Sequence, residues 1–269
     1  MRFGTFLDSY HNMPSLLHTI QQRNPGTHID IVSFRDDTFV TGQKVLQRAF
    51  FAFGACIRAF QFCRPLLCVD GTFLTGKYKG QILTAIGVDG NNQLCPIAMA
   101  FVEREDYENW LWFLQQLKVG VVKDRPDVCV IHDRNAGLLK AVKQLQTSEF
   151  DMSDPIVWRD IQSRWCMRHL AANFFRQFRN KRLMNLFKRL CGMNQKHKYD
   201  HLWKKLDELT ETEVKNKKDK ASTSQVGTMD EAPQALCALP GVDPPNRRRR
   251  SSRQVCYLPF PISSLRWRT

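Results

Sequence analysis

Hydrophobic and polar positions along the chain fall into two rhythms. Residues 1–62 are apolar but irregular. Within them "MPSLLHTIQQRN" carries a helical repeat that Asn24-Pro25-Gly26 closes. "VLQRAFFAFGACIRAFQF" places aromatics at helical spacing, as a core-packing segment does. The whole stretch reads as a helical N-terminal segment. From Leu66 the rhythm shortens. "LLCVDGTFL", "GQILTAIGVDGNN" and "LCPIAMAFVE" are β-rich runs parted by Gly, Asn and Asp, with a tight turn at Asp89-Gly90-Asn91-Asn92. "YENWLWFLQQLK" returns to helical spacing and sets Trp110, Phe113, Leu114 and Leu117 on one face.

The remaining chain alternates. "DVCVIHD" predicts a fourth strand, "AGLLKAVKQL" a helix and "PIVWRDIQSRW" a fifth strand. "CMRHLAANFFRQF", "RLMNLFKRLCGM" and "YDHLWKKLDEL" predict helices. This order gives an α/β chain: a mixed sheet with helices packed on it and more helices after the fifth strand. Residues 212–269 lose their large apolar positions and end in a Pro-rich segment and the run Arg247-Arg248-Arg249-Arg250. They read as a disordered basic tail, with the Arg run open to nuclear import or to no role. The expected division is 1–62, 63–211 and 212–269.

Composition narrows the classes. Of 269 residues, 43% are hydrophobic and 11% aromatic, which supports a core and argues against wholesale disorder. Lys and Arg number 40 against 26 Asp and Glu, a net charge of +14. Such an excess favours a polyanionic partner, and nucleic acid is the commonest. The nine cysteines are odd in number and scattered, and Cys68, Cys95 and Cys129 lie in apolar runs. That pattern suits reduced thiols of an intracellular protein, not a disulfide framework. No run reaches the roughly 18 apolar residues of a membrane span. The start "MRFGTFLDSYHNMPSLL" lacks the apolar core of a signal peptide.

Three constellations carry chemistry. Asp70 ends the first of these predicted strands and Asp133 the fourth, 63 residues later. If those strands are neighbours, the two carboxylates repel unless a divalent cation lies between them. Oxygen ligands suit Mg²⁺ or Mn²⁺, and a pair of such ions about 4 Å apart serves phosphodiester displacement. The competing reading is that each Asp caps a turn or helix; "HDRNAGLL" looks like a helix start. Cys166 and His169 form a C-x-x-H pair on one helical face, half of a zinc tetrahedron. With no second pair at finger spacing, a His hydrogen-bonded to a buried thiol outranks zinc. Finally, Arg164, Arg168, Arg176, Arg179, Lys181 and Arg182 interleave with phenylalanines and suit a phosphate backbone or, nearly as well, a solvated helix face.

Three stretches together, "CRPLLCVDGTFLTGKYKGQILTAIGVDGNNQLCPIAMAFVEREDYENWLWFLQQL", "CVIHDRNAGLLKAV" and "WCMRHLAANF", resemble the transposase domain of plant Mutator-like (MuDR) elements. The resemblance runs from about Phe50 to Leu209. It implies an RNase H-like fold with a helical insertion after the fifth strand, a D-D-E site with Mg²⁺ or Mn²⁺, and cut-and-paste chemistry on DNA in the nucleus. Under it Asp70 and Asp133 are the first two catalytic and metal-binding carboxylates, and Cys166 and His169 match the family's C-x-x-H motif. The third acid is unassigned among Asp200, Asp207, Glu208 and Glu211. The family's N-terminal DNA-binding and C-terminal zinc-knuckle regions have no counterpart in this chain, so the match reads as a truncated element. DNA, at transposon ends and target, is the implied partner, and self-association is open. The alternative reading is a DNA-binding or regulatory protein that keeps the fold without cleavage.

Overall fold

The sheet is built from hairpins on one side and helical crossovers on the other. The computed structural model describes residues 5–35, 44–77, 79–147 and 157–222, which fall into two compact units meeting at 165/166. In the first unit α1 (Phe6–Arg23) leads to β1 (His28–Arg35), β2 (Lys44–Ala52) and the short α2 (Gly54–Phe60). Then come β3 (Leu66–Phe73), β4 (Gln81–Val88), β5 (Leu94–Val102), α3 (Tyr107–Leu117), β6 (Cys129–His132), α4 (Ala136–Thr147) and β7 (Gln162–Trp165). The second unit holds α5 (Met167–Phe178), α6 (Lys181–Cys191) and α7 (Lys196–Ser222).

Seven strands form one sheet in the order β1-β2-β5-β4-β3-β6-β7. The β3–β4 and β4–β5 pairs are antiparallel, as short connections allow. In the β4–β5 loop Asp89 Oδ1 accepts from the amides of Asn91 and Gln93. Beyond β3 the pairing turns parallel: β3 with β6, and β6 with β7. Parallel neighbours need a crossover, and helices α3 and α4 lie in those connections. The core packs Leu67, Val69 and Leu83 of the sheet with Trp110, Phe113 and Leu117 of α3 and Leu138 of α4. In the second unit Phe174 stacks on Phe187 at 4.9 Å between ring centres, and Leu183, Trp203 and Leu206 are buried with them.

The N-terminal segment differs from the helical reading. Residues 28–35 and 44–52 are paired strands, and β2 continues the sheet through β5. The aromatic run fits either periodicity; its partners decide. Phe50 is fully buried and meets Phe113 at 5.7 Å, while Asp30 in β1 accepts from Trp112 Nε1 and Gln116 Nε2, both at 2.9 Å. Those contacts come from α3, over 60 residues away, so no local window reports them. The units also divide at 165/166, whereas the sequence suggested 62/63 and 211/212. The last helix passes the expected start of the tail at 212 and runs to Ser222, as its Glu- and Lys-rich composition favours. Residues 223–269, including Arg247–Arg250, lie outside the described residues.

Truncating the fully buried Phe113 should remove its contacts with Phe50 and Trp110 together. Phe113→Ala is expected to lower unfolding free energy by about 3–5 kcal/mol in a denaturant titration.

Candidate functional site

The parallel pairing of β3 with β6 brings the two Asp-bearing strand ends together. Leu66 pairs with Cys129, Leu67 with Val130 and Cys68 with Ile131. Asp70 lies two residues beyond the last of these pairs on β3 and Asp133 two beyond it on the β6 side, a shared offset of 63. Burial in β3 stops at Val69, and Asp70 is exposed, so a strand carboxylate here needs no buried partner to be tolerated. Gly71 N donates to Asp70 Oδ1 at 3.1 Å, and Thr84 Oγ1 donates to the Asp70 carbonyl across the β4 ladder.

Asp133 sits where β6 gives way to α4. Its Oδ1 accepts from Asn135 N at 2.9 Å, closing an Asx turn, and Asn135 Oδ1 accepts from Leu138 N to cap the helix. The turn-forming role weighed for Asp133 is therefore present, while the helix cap itself belongs to Asn135. His132 beside it is fully buried and reaches the Asp133 carbonyl through Nδ1 and Ser163 Oγ through Nε2 at 2.6 Å. Burial holds its imidazole below the ordinary histidine range, outweighing the Asp133 contacts.

A third carboxylate, absent from the sequence reading, joins this corner. Glu105 lies between β5 and α3. A Cβ on Gly71 would fall 1.4 Å from Glu105 Oε1, so the carboxylate occupies the space that a side chain at 71 would fill. Asn135 Nδ2 donates to Glu105 Oε2 at 3.2 Å. Gly137 explains how the pieces meet: a Cβ there would come within 2.7 Å of Tyr107 N, so the first turns of α3 and α4 pack backbone to side. The two glycines of "DGTF" and "RNAGL" thus answer to close approach. The signal that could have found Glu105 is the unusual "EREDYEN" run of acids at a strand-to-helix junction.

The donor set Asp70, Asp133 and Glu105 is oxygen-only, which suits a hard divalent cation. Among the described residues no three such side chains converge closely enough to count as a ligand set. Asp200, Asp207, Glu208 and Glu211 stand on α7, in the other compact unit; Asp200 is half-buried and the rest are exposed.

Residues 66–173 match the family model of the MULE transposase domain. No curated protein matches the chain. The transposase-domain match begins with the first residue of β3 and takes in Asp70, Glu105, Asp133, Asn135, Cys166 and His169. The match covers under half of the chain and is a likeness to that domain. It leaves out α1, β1, β2, α6 and α7.

Within the matched stretch, the C-x-x-H pair closes a local contact. Cys166 stands at the N-terminal cap of α5, hydrogen-bonded to His169. Half-burial pushes the Cys166 thiol up, but the His169 contacts outweigh it and the net direction is down. Arg168 Nη2 lies 2.6 Å from His169 Nε2, which must then accept. The expected basic residues separate by element. Arg164 is half-buried on β7, with Nη1 on the Ser163 carbonyl; Arg168 and Arg176 are exposed on α5. Arg179 links α5 to α6 in a left-handed conformation, and Lys181 and Arg182 open α6, exposed.

Two outcomes follow from these contacts. Gly71→Ala must displace Glu105 and should cost about 1–3 kcal/mol, part of which Glu105→Ala in the same chain should restore. Denaturation of the two single variants and the double reads that coupling. Cys166 should also alkylate with iodoacetamide at neutral pH faster than Cys191, whose thiol burial pushes up to about 12. His169→Ala should slow Cys166 towards the rate of an ordinary thiol, read by peptide mass spectrometry.

Proposed function

We propose that this chain is the core of a Mutator-like DNA transposase of the plant MuDR type, acting on DNA in the nucleus by metal-dependent phosphodiester cleavage and strand transfer. The observation that carries the reading is the parallel pairing of β3, which bears Asp70, with β6, which ends one residue before Asp133, inside the stretch that matches the transposase domain. A mixed sheet with carboxylates at the ends of two adjacent parallel strands also supports an RNase H-like fold.

In this reading Asp70 and Asp133 hold Mg²⁺ or Mn²⁺. The bound cation supplies charge neutralisation and water activation for in-line displacement at a phosphodiester. The chain's own part is to hold the carboxylates still. Asn135 fixes Asp133 through its backbone amide and Glu105 through its side-chain amide. Glu105 in turn rests on Gly71, next to Asp70 in the chain. The third acid of the D-D-E set is sought on α7, at Asp200, Asp207 or Glu208.

Metal binding is measurable without activity. A ligand that binds only the folded chain at a hundred times its Kd adds about 2.7 kcal/mol. The thermal midpoint of the wild-type chain should therefore rise in millimolar Mg²⁺ or Mn²⁺, and Asp70→Asn and Asp133→Asn should each abolish the rise. A wild-type midpoint that ignores both metals overturns the catalytic reading.

A further inference from the structure

The positive charge of the chain is not spread along it. Residues 1–165 hold 18 Lys and Arg against 17 Asp and Glu, whereas residues 166–222 hold 15 against 6. Residues 223–269 add 7 against 3, so most of the excess belongs to the stretch that forms α5, α6 and α7, and most of that lies beyond the part that matches the transposase domain.

Helix α6 concentrates it. Its sequence KRLMNLFKRLC contains Lys181, Arg182, Lys188 and Arg189 and no acid. All four are exposed, while Leu183, Leu186, Phe187 and Leu190 are buried. Lys181 and Arg182 occupy the first turn, the end of a helix where the backbone dipole disfavours cations. Their placement is not explained by helix stability.

The cations also have a shaped surface. Arg182, Asn185, Leu186 and Arg189 recur at the spacing of one helical face. With Lys205 and Leu209 of α7 they line an open cavity of about 420 Å³. Leu186 is buried and Leu209 half-buried, so they give it an apolar floor; the polar lining residues are exposed. No acid lines it. Glu213, the acid that ties α7 back to the α5–α6 turn, is engaged by Asn180 Nδ2 at 2.6 Å. Asp207, Glu208 and Glu211 are exposed elsewhere on α7 and are not among the lining residues. Among the described residues the one ion pair is Arg104–Asp106, so Arg182, Arg189 and Lys205 are not neutralised by a carboxylate there.

We propose that the groove between α6 and α7 seats the sugar-phosphate backbone of duplex DNA, with Arg182, Arg189 and Lys205 on the phosphates and Leu186 and Leu209 under the sugar carbons. The choice of DNA as the polyanion rests on the transposase reading; the groove itself rests on charge and shape. Three cations around one cavity suit successive backbone charges better than a single small anion. Contacts of this kind position DNA and carry no direct sequence information.

The test is fluorescence anisotropy with the full chain and a labelled duplex of arbitrary sequence, over a salt series. Wild-type binding should weaken steeply with salt. Replacing Arg182, Arg189 and Lys205 together by Ala should lower affinity at least about tenfold at moderate salt and flatten the salt slope by up to about three. These side chains are exposed, and an unchanged circular-dichroism melting curve confirms that the variant folds. The charge-keeping pair Arg182→Lys and Arg189→Lys should retain the slope. Ala at Arg168 and Arg176 of α5 should flatten it less than the groove variant does. Unchanged affinity and slope in the groove variant overturn the proposal. So does tight, salt-insensitive binding to one sequence, or preference for single-stranded DNA over duplex. The two readings fail separately. Groove-dependent binding by a chain whose melting ignores Mg²⁺ and Mn²⁺ keeps the groove and removes the metal chemistry. A metal-stabilised chain whose groove variant binds DNA like wild type does the reverse.

Discussion

The register between β3 and β6 is the constraint on which the first unit depends. Both strands are buried where they pair, Leu67 and Val130 completely so. A slip of one residue would turn each strand's apolar set to the wrong face, so the pairing is strongly specified. Because it is parallel, the connection must leave the sheet and return, and α3 lies on that route. The strands stop being buried at Val69 and His132, one residue before each carboxylate. Hydrophobic pairing thus sets the offset, and each strand carries its carboxylate just beyond the buried, paired stretch.

Close packing then fixes what surrounds them. Gly137 lets the first turn of α4 lie against the start of α3, and Gly71 leaves room for a carboxylate from the β5–α3 junction. Asn135 joins three of these parts at once: its backbone amide holds Asp133, its side-chain oxygen caps α4, and its side-chain amide reaches Glu105. Asn135 thus holds two acids, Asp133 and Glu105, in fixed positions.

Much of this was legible in the sequence, and the exceptions share a cause. Strands 66–73, 81–88 and 94–102, helix 107–117 and strand 129–132 follow from alternation, helical spacing and turn residues, because each signal is local. That the strands leading to Asp70 and Asp133 are neighbours followed from two strand ends and one assumption about strand order. Strands β1 and β2 were missed because their partners are distant: Asp30 in β1 is satisfied by Trp112 and Gln116, and Phe50 by rings of α3. Glu105 was missed for the same reason, since its meaning lies in Gly71 and Asn135. Helix α7 was ended too early because a polar, charged run was taken for disorder, although Glu and Lys are good helix formers.

The charge distribution gives the two units different physical characters. The sheet unit is close to neutral, so its exposed acids are not simply answering a surplus of surrounding cations. The helical unit keeps its excess on α6 and α7, and its core of Phe174, Phe187, Trp203 and Leu206 is packed without those charges. Lys181 and Arg182 at the start of α6 each stand against the helix dipole by about 0.3–1 kcal/mol, and Asn180 caps the same turn. A sequence shaped only by folding would place acids in that first turn and cations in the last. Here the last turn follows the rule with Lys188 and Arg189, and the first breaks it. Broken local rules concentrate where a chain meets a ligand, and the helical unit breaks one with the cations that open α6. Exposed cations set against their own helix dipole attract polyanions instead of stabilising the helix that carries them.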